Sequence, residues 1–256
     1  MKISSGFVGK NHQHFQSIES THIFLSKLLT KTNPPEGFYV SSDFQSGGRG
    51  QIGRYWHSEA EKNILASYLF YPEKISARQI FCLHMWTSLV LLDVLQKNNI
   101  GHVSVKWPND IYIRDKKIAG ILIQNTLRQD TIKNCIISIG FNINQKTFPE
   151  DIPNPTSMYL ETGIIYDRTK IMDEVNVFLE SSYINLIDDI KSGNLYHKYV
   201  ENLFGRSDFQ LFRKENGELI KRKVRTVSED GVLQLSDEGG LTENYHFHKV
   251  EWVKTM

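Results

Sequence analysis

Two arginines set among four glycines give this 256-residue chain its first chemical signal: Gly47-Gly48-Arg49-Gly50-Gln51-Ile52-Gly53-Arg54. Glycine lets backbone amides approach a ligand closely and take positive φ. Arginine adds a fixed cationic fork that fits phosphate or carboxylate. The combination reads as a loop that wraps an anion. Its glycine spacing fits neither the Gly-Lys-Ser/Thr phosphate loop nor the dinucleotide fingerprint. The plain alternative is a flexible surface turn.

A second group follows at Val105-Lys106-Trp107-Pro108-Asn109-Asp110, and a third at Lys117-Ile118-Ala119-Gly120-Ile121-Leu122. Pro108 ends strand pairing and fixes a turn, so Asn109 and Asp110 are expected to project at a strand end. Asp110 is suited to a hydrated Mg²⁺, which takes one or two carboxylates plus phosphate oxygens. Lys106 and Lys117 supply point charges for phosphate or carboxylate. Here too a plain alternative stands: a surface turn with solvated lysines.

The elements that must position these groups are legible in outline. Ile23, Phe24, Leu28 and Leu29 suit a short amphipathic helix over 20–29, capped by Ser20 or Thr21. Phe38 to Phe44 reads as a strand feeding the glycine loop, and Asn63 to Tyr71 as a second. Ser76 to Asn98 carries the longest 3.6-residue pattern, with Gly101 just beyond its end. Strand-like runs then cover 103–107, 111–113, 118–125 and 134–144, with Asp115-Lys116-Lys117 as a turn. Tyr166 to Leu186 reads as helix. Beyond Gly205 come short strands and the turns Asn216-Gly217, Asp230-Gly231 and Gly239-Gly240. This small all-β module of about fifty residues is near the lower limit for folding alone, so it is expected to lean on the rest.

Composition narrows the field. The formal net charge is +1, which makes no case for nucleic acid or an anionic membrane surface. The cluster Lys221-Arg222-Lys223 with Arg225 is expected to be the solvated face of a strand. Cys82 and Cys135 sit in apolar surroundings and read as buried reduced thiols. Residues 1–15 are polar, unlike a secretory signal, and no uninterrupted apolar run has membrane-spanning length. The expected location is the cytoplasm.

Taken in order, the glycine–arginine loop, the Lys106 to Asp110 run, the Lys117 to Leu122 run and Gly140-Phe141-Asn142 resemble the biotin protein ligase (biotin–[acetyl-CoA-carboxylase] ligase) family. Glu19-Ser20-Thr21 is similar to its Asp-Ser-Thr-Asn element, and Thr156-Ser157-Met158 to its Thr-Ser-Leu element. The resemblance implies an α+β fold. It comprises a mixed β-sheet with helices packed on it, of the class II aminoacyl-tRNA synthetase/biotin ligase type, and a C-terminal SH3-like β-barrel. The expected domains are 1–200 and 201–256. The family's N-terminal DNA-binding domain has no counterpart here, so the expected type is monofunctional.

The resemblance also implies two half-reactions. Biotin and ATP give biotinyl-5′-AMP and pyrophosphate; a lysine of a biotin carboxyl carrier domain then takes the biotinyl group and releases AMP. Arg49, Lys117 and Asp110 are the implied catalytic residues, with Mg²⁺ at Asp110. Ser20, Thr21, His22, Gln45, Arg49, Gly50, Gln51 and Lys117 are implied for biotin. Arg49, Arg54, Trp56, Lys106, Asn109 and Asn142 are implied for ATP. Loop amides are expected to form an anion nest.

The chain departs from the family pattern in four places. Gln51 stands for a second arginine and is expected to hold phosphate less strongly. His22 replaces an asparagine, Ser138 a glycine, and Gln124 a common glutamate. The competing readings are a lipoate- or octanoate-type ligase or transferase on the same fold, and a catalytically silent sensor or scaffold. Edge-strand pairing is one expected mode of acceptor docking or homodimer formation; monomer and homodimer both stay open.

Overall fold

The apolar runs between residues 38 and 141 become the strands of one sheet. In the computed structural model, described for residues 6–51 and 53–253, the first half of the chain runs β1 (His12–Ile18), α1 (Thr21–Leu29), β2 (Tyr39–Gln45), β3 (Ile64–Phe70), α2 (Phe81–Lys97), β4 (Val103–Lys106), β5 (Asp110–Ile113), β6 (Lys116–Arg128) and β7 (Thr131–Phe141). The sheet order is β1-β2-β3-β7-β6-β5-β4. Only β1 pairs in parallel, with β2; every other neighbour is antiparallel. All residues of β3 are buried, which is why it reads as a continuous apolar run.

Helix α2 packs on this sheet. The stretch Ala77–Lys97 has the length and apolar content of a membrane span, although no apolar run was expected to reach it. Its apolar residues are spent in the core, where Trp86 meets Phe70 edge-on at 5.1 Å and donates its indole N–H to Ser182. Ser182 lies on α4 (Arg168–Lys191). The short helices α3 (Met158–Thr162) and α5 (Asn194–Glu201) were not expected from periodicity, being too short to show one.

One expected turn is displaced. Arg114-Asp115 forms the β5–β6 turn, with Arg114 at φ +52°, and Lys116 and Lys117 already belong to β6. Lys117 is thereby held on a paired strand, and its backbone bridges Pro155.

The C-terminal sheet contains β8 (Gln210–Lys214), β9 (Leu219–Val227), β10 (Leu233–Ser236), β11 (Thr242–Tyr245) and β12 (Val250–Val253), in the order β11-β10-β9-β8-β12. The ion pair Lys214–Glu243 joins β8 to β11, with two strands between them in that order, so the sheet curls on itself. On β9, Lys221 pairs with Glu238 and Arg222 with Glu243. Position 200/201, the expected boundary, falls in α5. One contiguous core runs across it, from Tyr68 and Leu91 through Tyr199 to Phe212 and Leu235. Ile52 and the outer ends of both expected domains lie outside the described residues.

Candidate functional site

The C-terminal ends of β2 and β7, the hairpin β5–β6 and the edge of the C-terminal sheet enclose a cleft of about 970 Å³. At one end stand Ser20, Thr21, His22 and Gln45. Ser20 caps α1, its hydroxyl accepting the Ile23 N–H at 3.4 Å. Gln45 ends β2, and its Oε1 accepts from both the Thr21 N–H (2.7 Å) and the Thr21 hydroxyl (3.0 Å). With Oε1 doubly engaged, the Gln45 amide presents its NH₂ elsewhere, against Gly48. Thr21, at 2 % exposure, is sealed from bulk water.

His22 was expected to meet a ligand. It lines the cleft, and both ring nitrogens meet protein: Nδ1 lies 2.7 Å from Ser138 Oγ, and Nε2 lies 2.8 Å from Gln124 Oε1. Burial first, and the Arg49 charge last, hold its imidazole below the usual histidine range, against the opposing Gln124 hydrogen bond.

The middle of the cleft is apolar. Gly120 on β6 and Gly140 on β7 are paired across the ladder, and the indole of Trp56 lies on them. A Cβ on Gly140 would fall 2.3 Å from Trp56 Cε2, and one on Gly120 2.9 Å from Cζ3. Two glycines face to face are thus what lets the indole reach the sheet. The Trp56 Nε1–H is buried and has no partner among the described residues.

Cations gather around this floor. Lys117 Nζ stands 5.4 Å from the Trp56 ring and 2.7 Å from Asp110 Oδ1. Lys106 Nζ donates to the Tyr112 hydroxyl at 3.1 Å and lies over the rings of Tyr112 and Trp252. Burial outweighs Asp110 and brings its pKa down to about 8. Arg49 is exposed at the cleft mouth and has no carboxylate partner among the described residues. Arg54 reaches across to Glu251 of β12 at 2.9 Å. Gln51 lines the cleft beside them.

The glycine segment itself is a closed turn. Arg49 bridges Tyr55, Gly50 N–H donates to the Arg54 carbonyl, and Trp56 N–H to that of Gly48. Gly47 N–H is likewise given to Glu19. In this arrangement the Gly47, Gly50 and Trp56 amides are given to backbone carbonyls. The segment's side chains, Arg49 above all, face the cleft.

Two asparagines serve the framework before any ligand. The Asn109 NH₂ donates to the Ile121 carbonyl at 2.7 Å, tying the Trp107–Pro108 turn, a cis peptide, to β6. The Asn142 NH₂ donates to the Thr156 carbonyl at 2.9 Å, while its buried Oδ1 has no partner among the described residues and is free to accept. Asp110 is a single carboxylate already paired to Lys117. Among the described residues no group of three His, Cys, Asp or Glu stands together at metal-ligand spacing.

Several wall residues gave no sequence signal. The segment 148–155, aligned on Lys117 by the Lys117 N–H to Asn154 carbonyl bond (2.7 Å), closes one side. Phe247 of the β11–β12 turn, with Val250 and Trp252 of β12, closes the other. Only the density of prolines at 149, 153 and 155 hinted at a shaped loop. The Ser67–Ser138 contact beneath Thr21 was also unforeseen.

Comparison with known proteins places this geometry in a family. The sequence profile of the biotin/lipoate A/B protein ligase family matches residues 14–142. The chain is 34% identical over 229 residues to the bifunctional ligase/repressor BirA of Escherichia coli (strain K12), covering 85% of this chain and 69% of that protein. It is 30% identical over 224 residues to the bifunctional ligase/repressor BirA of Bacillus subtilis (strain 168), covering 85% and 67%. Among solved structures it is similar to the biotin protein ligase from Aquifex aeolicus in complex with biotin and ATP, with a TM-score of 0.77 and 25% identity, over 96% of this chain and 100% of that one.

Proposed function

The chain belongs to the biotin/lipoate A/B protein ligase family, and from that premise we infer that it is an ATP-dependent biotin–protein ligase. The observation that carries this reading is the composition of one cleft. A sealed hydrogen-bonding pocket at Thr21 and Gln45 leads over the apolar Trp56–Gly120–Gly140 floor to the cations Lys117, Lys106 and Arg49. That sequence of environments follows biotin from ureido ring through aliphatic chain to carboxylate.

In the first half-reaction the biotin carboxylate attacks the α-phosphorus of ATP and pyrophosphate leaves. Two anions must meet, and at about 4 Å and an effective dielectric near 20 they repel by about 4 kcal/mol. Lys117 and Arg49 oppose that repulsion. Lys117 is the better placed, since β6 and the bridge to Pro155 hold its backbone. Its bond to Asp110 must loosen as the carboxylate arrives, so Asp110 acts as a place-holder that keeps the ammonium in position. ATP enters as its magnesium complex; the chain's own acidic contribution beside it is Asp110. No protein nucleophile is needed, because positioning and charge stabilisation suffice.

Asn142 Oδ1, the free buried acceptor, suits a nucleotide hydroxyl, and Arg54, once released from Glu251, suits the triphosphate. Asn109 supports the site by fixing its turn. In the second half-reaction a lysine amine of a biotin carboxyl carrier domain attacks the mixed anhydride, forming an amide and releasing AMP. Buried free thiols at Cys82, pushed up to about 12, and Cys135 support a cytoplasmic setting.

The test is ATP–pyrophosphate exchange with purified protein. We expect exchange that depends on biotin and is absent with lipoate or octanoate. Exchange driven by either of those acids instead, or none with biotin, overturns the reading.

A further inference from the structure

Three departures from the family pattern, far apart in sequence, meet in space. His22, Gln124 and Ser138 form one hydrogen-bonded group, and Ser138 Oγ continues it to Ser67 Oγ at 2.8 Å. Ser67 Oγ then lies 2.8 Å from Thr21 Oγ1, which lies 3.0 Å from Gln45 Oε1. A continuous polar chain thus runs from Gln124 on β6 to Gln45 on β2. Ser67 is fully buried, and Thr21, His22 and Ser138 nearly so, leaving each contact to be satisfied from within.

Counting hydrogens gives the chain a direction. Gln45 Oε1 already takes the Thr21 N–H and can only accept. Between it and His22 Nδ1 there are four contacts, and Thr21, Ser67 and Ser138 bring one hydroxyl hydrogen each. If Nδ1 is bare, three hydrogens serve four contacts and one pair of lone pairs is left facing. If Nδ1 carries a proton, every contact is satisfied. Donation then runs one way, from His22 to Ser138, to Ser67, to Thr21, to Gln45. At the other nitrogen, the two ends of the Gln124 amide have the same shape. A neutral imidazole protonated at Nδ1 therefore takes the Gln124 NH₂ at Nε2. Burial and the nearby Arg49 charge favour the neutral ring.

We propose that His22 is a positioning residue that fixes the donor–acceptor polarity of the pocket: its Nδ1–H drives the hydroxyl chain so that Thr21 Oγ1 faces the ligand only as an acceptor, beside the Gln45 NH₂ that the Thr21 N–H already fixes as a donor. An acceptor beside a donor matches an N–H next to a C=O, the edge of a cyclic urea. The inference rests on the biotin reading for its ligand, though not for the chain itself. His22, Gln124 and Ser138 are in direct hydrogen-bond contact, so changes at the three positions are expected to be non-additive.

The first experiment is ¹⁵N NMR of histidine-labelled protein at neutral pH. We expect the His22 signal of a neutral ring protonated at Nδ1; an Nε2–H ring overturns the proposal. The second is calorimetric binding to His22→Gln, which keeps a donor, and His22→Leu, which has none. We expect His22→Gln to bind biotin within about threefold of wild type, and His22→Leu about tenfold more weakly, the scale of one lost hydrogen bond. ATP affinity should hold in both. N-methylation of the biotin ureido should cost less affinity in His22→Leu than in wild type, a coupling that loss of packing alone does not produce. Equal losses in both variants, or no coupling, overturn the proposal. Wild-type protein that binds no biotin sinks the functional reading, and the imidazole spectrum still decides the chain.

Discussion

Lys106 carries its charge only below about pH 8, because burial opposes the ammonium more strongly than Asp110 supports it. For a base with a depressed pKa, the protonated form is the low-pH form. An ammonium needed for phosphate is therefore present at neutral pH and is lost as pH rises through 8. We expect kcat/KM for ATP to fall over that interval, since this quantity reports ionisations of the free enzyme. Lys106→Arg keeps its charge throughout. Whatever it loses in absolute rate between Tyr112 and Trp252, its profile should be flat from pH 7 to 9.5. A descending limb unchanged in that variant would assign the ionisation elsewhere. The linked stability effect has the opposite sense. Folded Lys106 is favoured when neutral, so its contribution is complete above the ordinary lysine value of 10.5 and declines as pH falls from there to about 8.

At the scale of elements, the β6–β7 ladder decides where Trp56 lies. The two glycines differ in the room they leave: 2.3 Å from the indole at Gly140 and 2.9 Å at Gly120. We expect Gly140→Ala to raise the biotin KM by more than Gly120→Ala does. Thermal stability should change by only about 1 kcal/mol or less in each, because alanine is tolerated in a strand. Steady-state kinetics on the two variants settle the order, and a reversed or equal effect would refute the floor. Much of this element was legible in sequence: the strands of the sheet showed as apolar runs, and Gly140-Phe141-Asn142 and Lys117 to Leu122 marked the ladder. What stayed hidden was pairing. No spacing tells that Gly120 faces Gly140, or that His22 reaches residues 102 and 116 positions away. The glycine loop was legible as a site, while the partners of its amides were not. Glycine content announces backbone freedom, but it does not say whether the amides are given to a ligand or, as at Gly47 and Gly50, to carbonyls of the protein's own backbone. Helices α3 and α5 escaped for a simpler reason, since so few turns leave no periodic trace.

The whole molecule behaves as more than a catalytic sheet with a module appended. Val105 on the last strand of the large sheet bridges Leu203, the Trp107 indole N–H donates to the Gly231 carbonyl at 3.0 Å, and the Trp107 ring meets Phe247 edge-on. Lys106 and Asp110 flank that same turn, so the residues that anchor the C-terminal sheet are neighbours of the residues that line the cleft. One apolar core runs through both halves. Both should therefore unfold in one transition. Trp107→Phe removes a buried donor and leaves a carbonyl unsatisfied, a loss of about 1–3 kcal/mol. We expect denaturant midpoints followed by tryptophan fluorescence and by hydrogen exchange in β8–β12 to coincide in the wild type. In Trp107→Phe they should fall together, with the ATP KM rising as the wall formed by Phe247 and Trp252 loosens. Two separated transitions, or a midpoint shift confined to the C-terminal strands, would mean that the small sheet only shelters the cleft and does not help to build it.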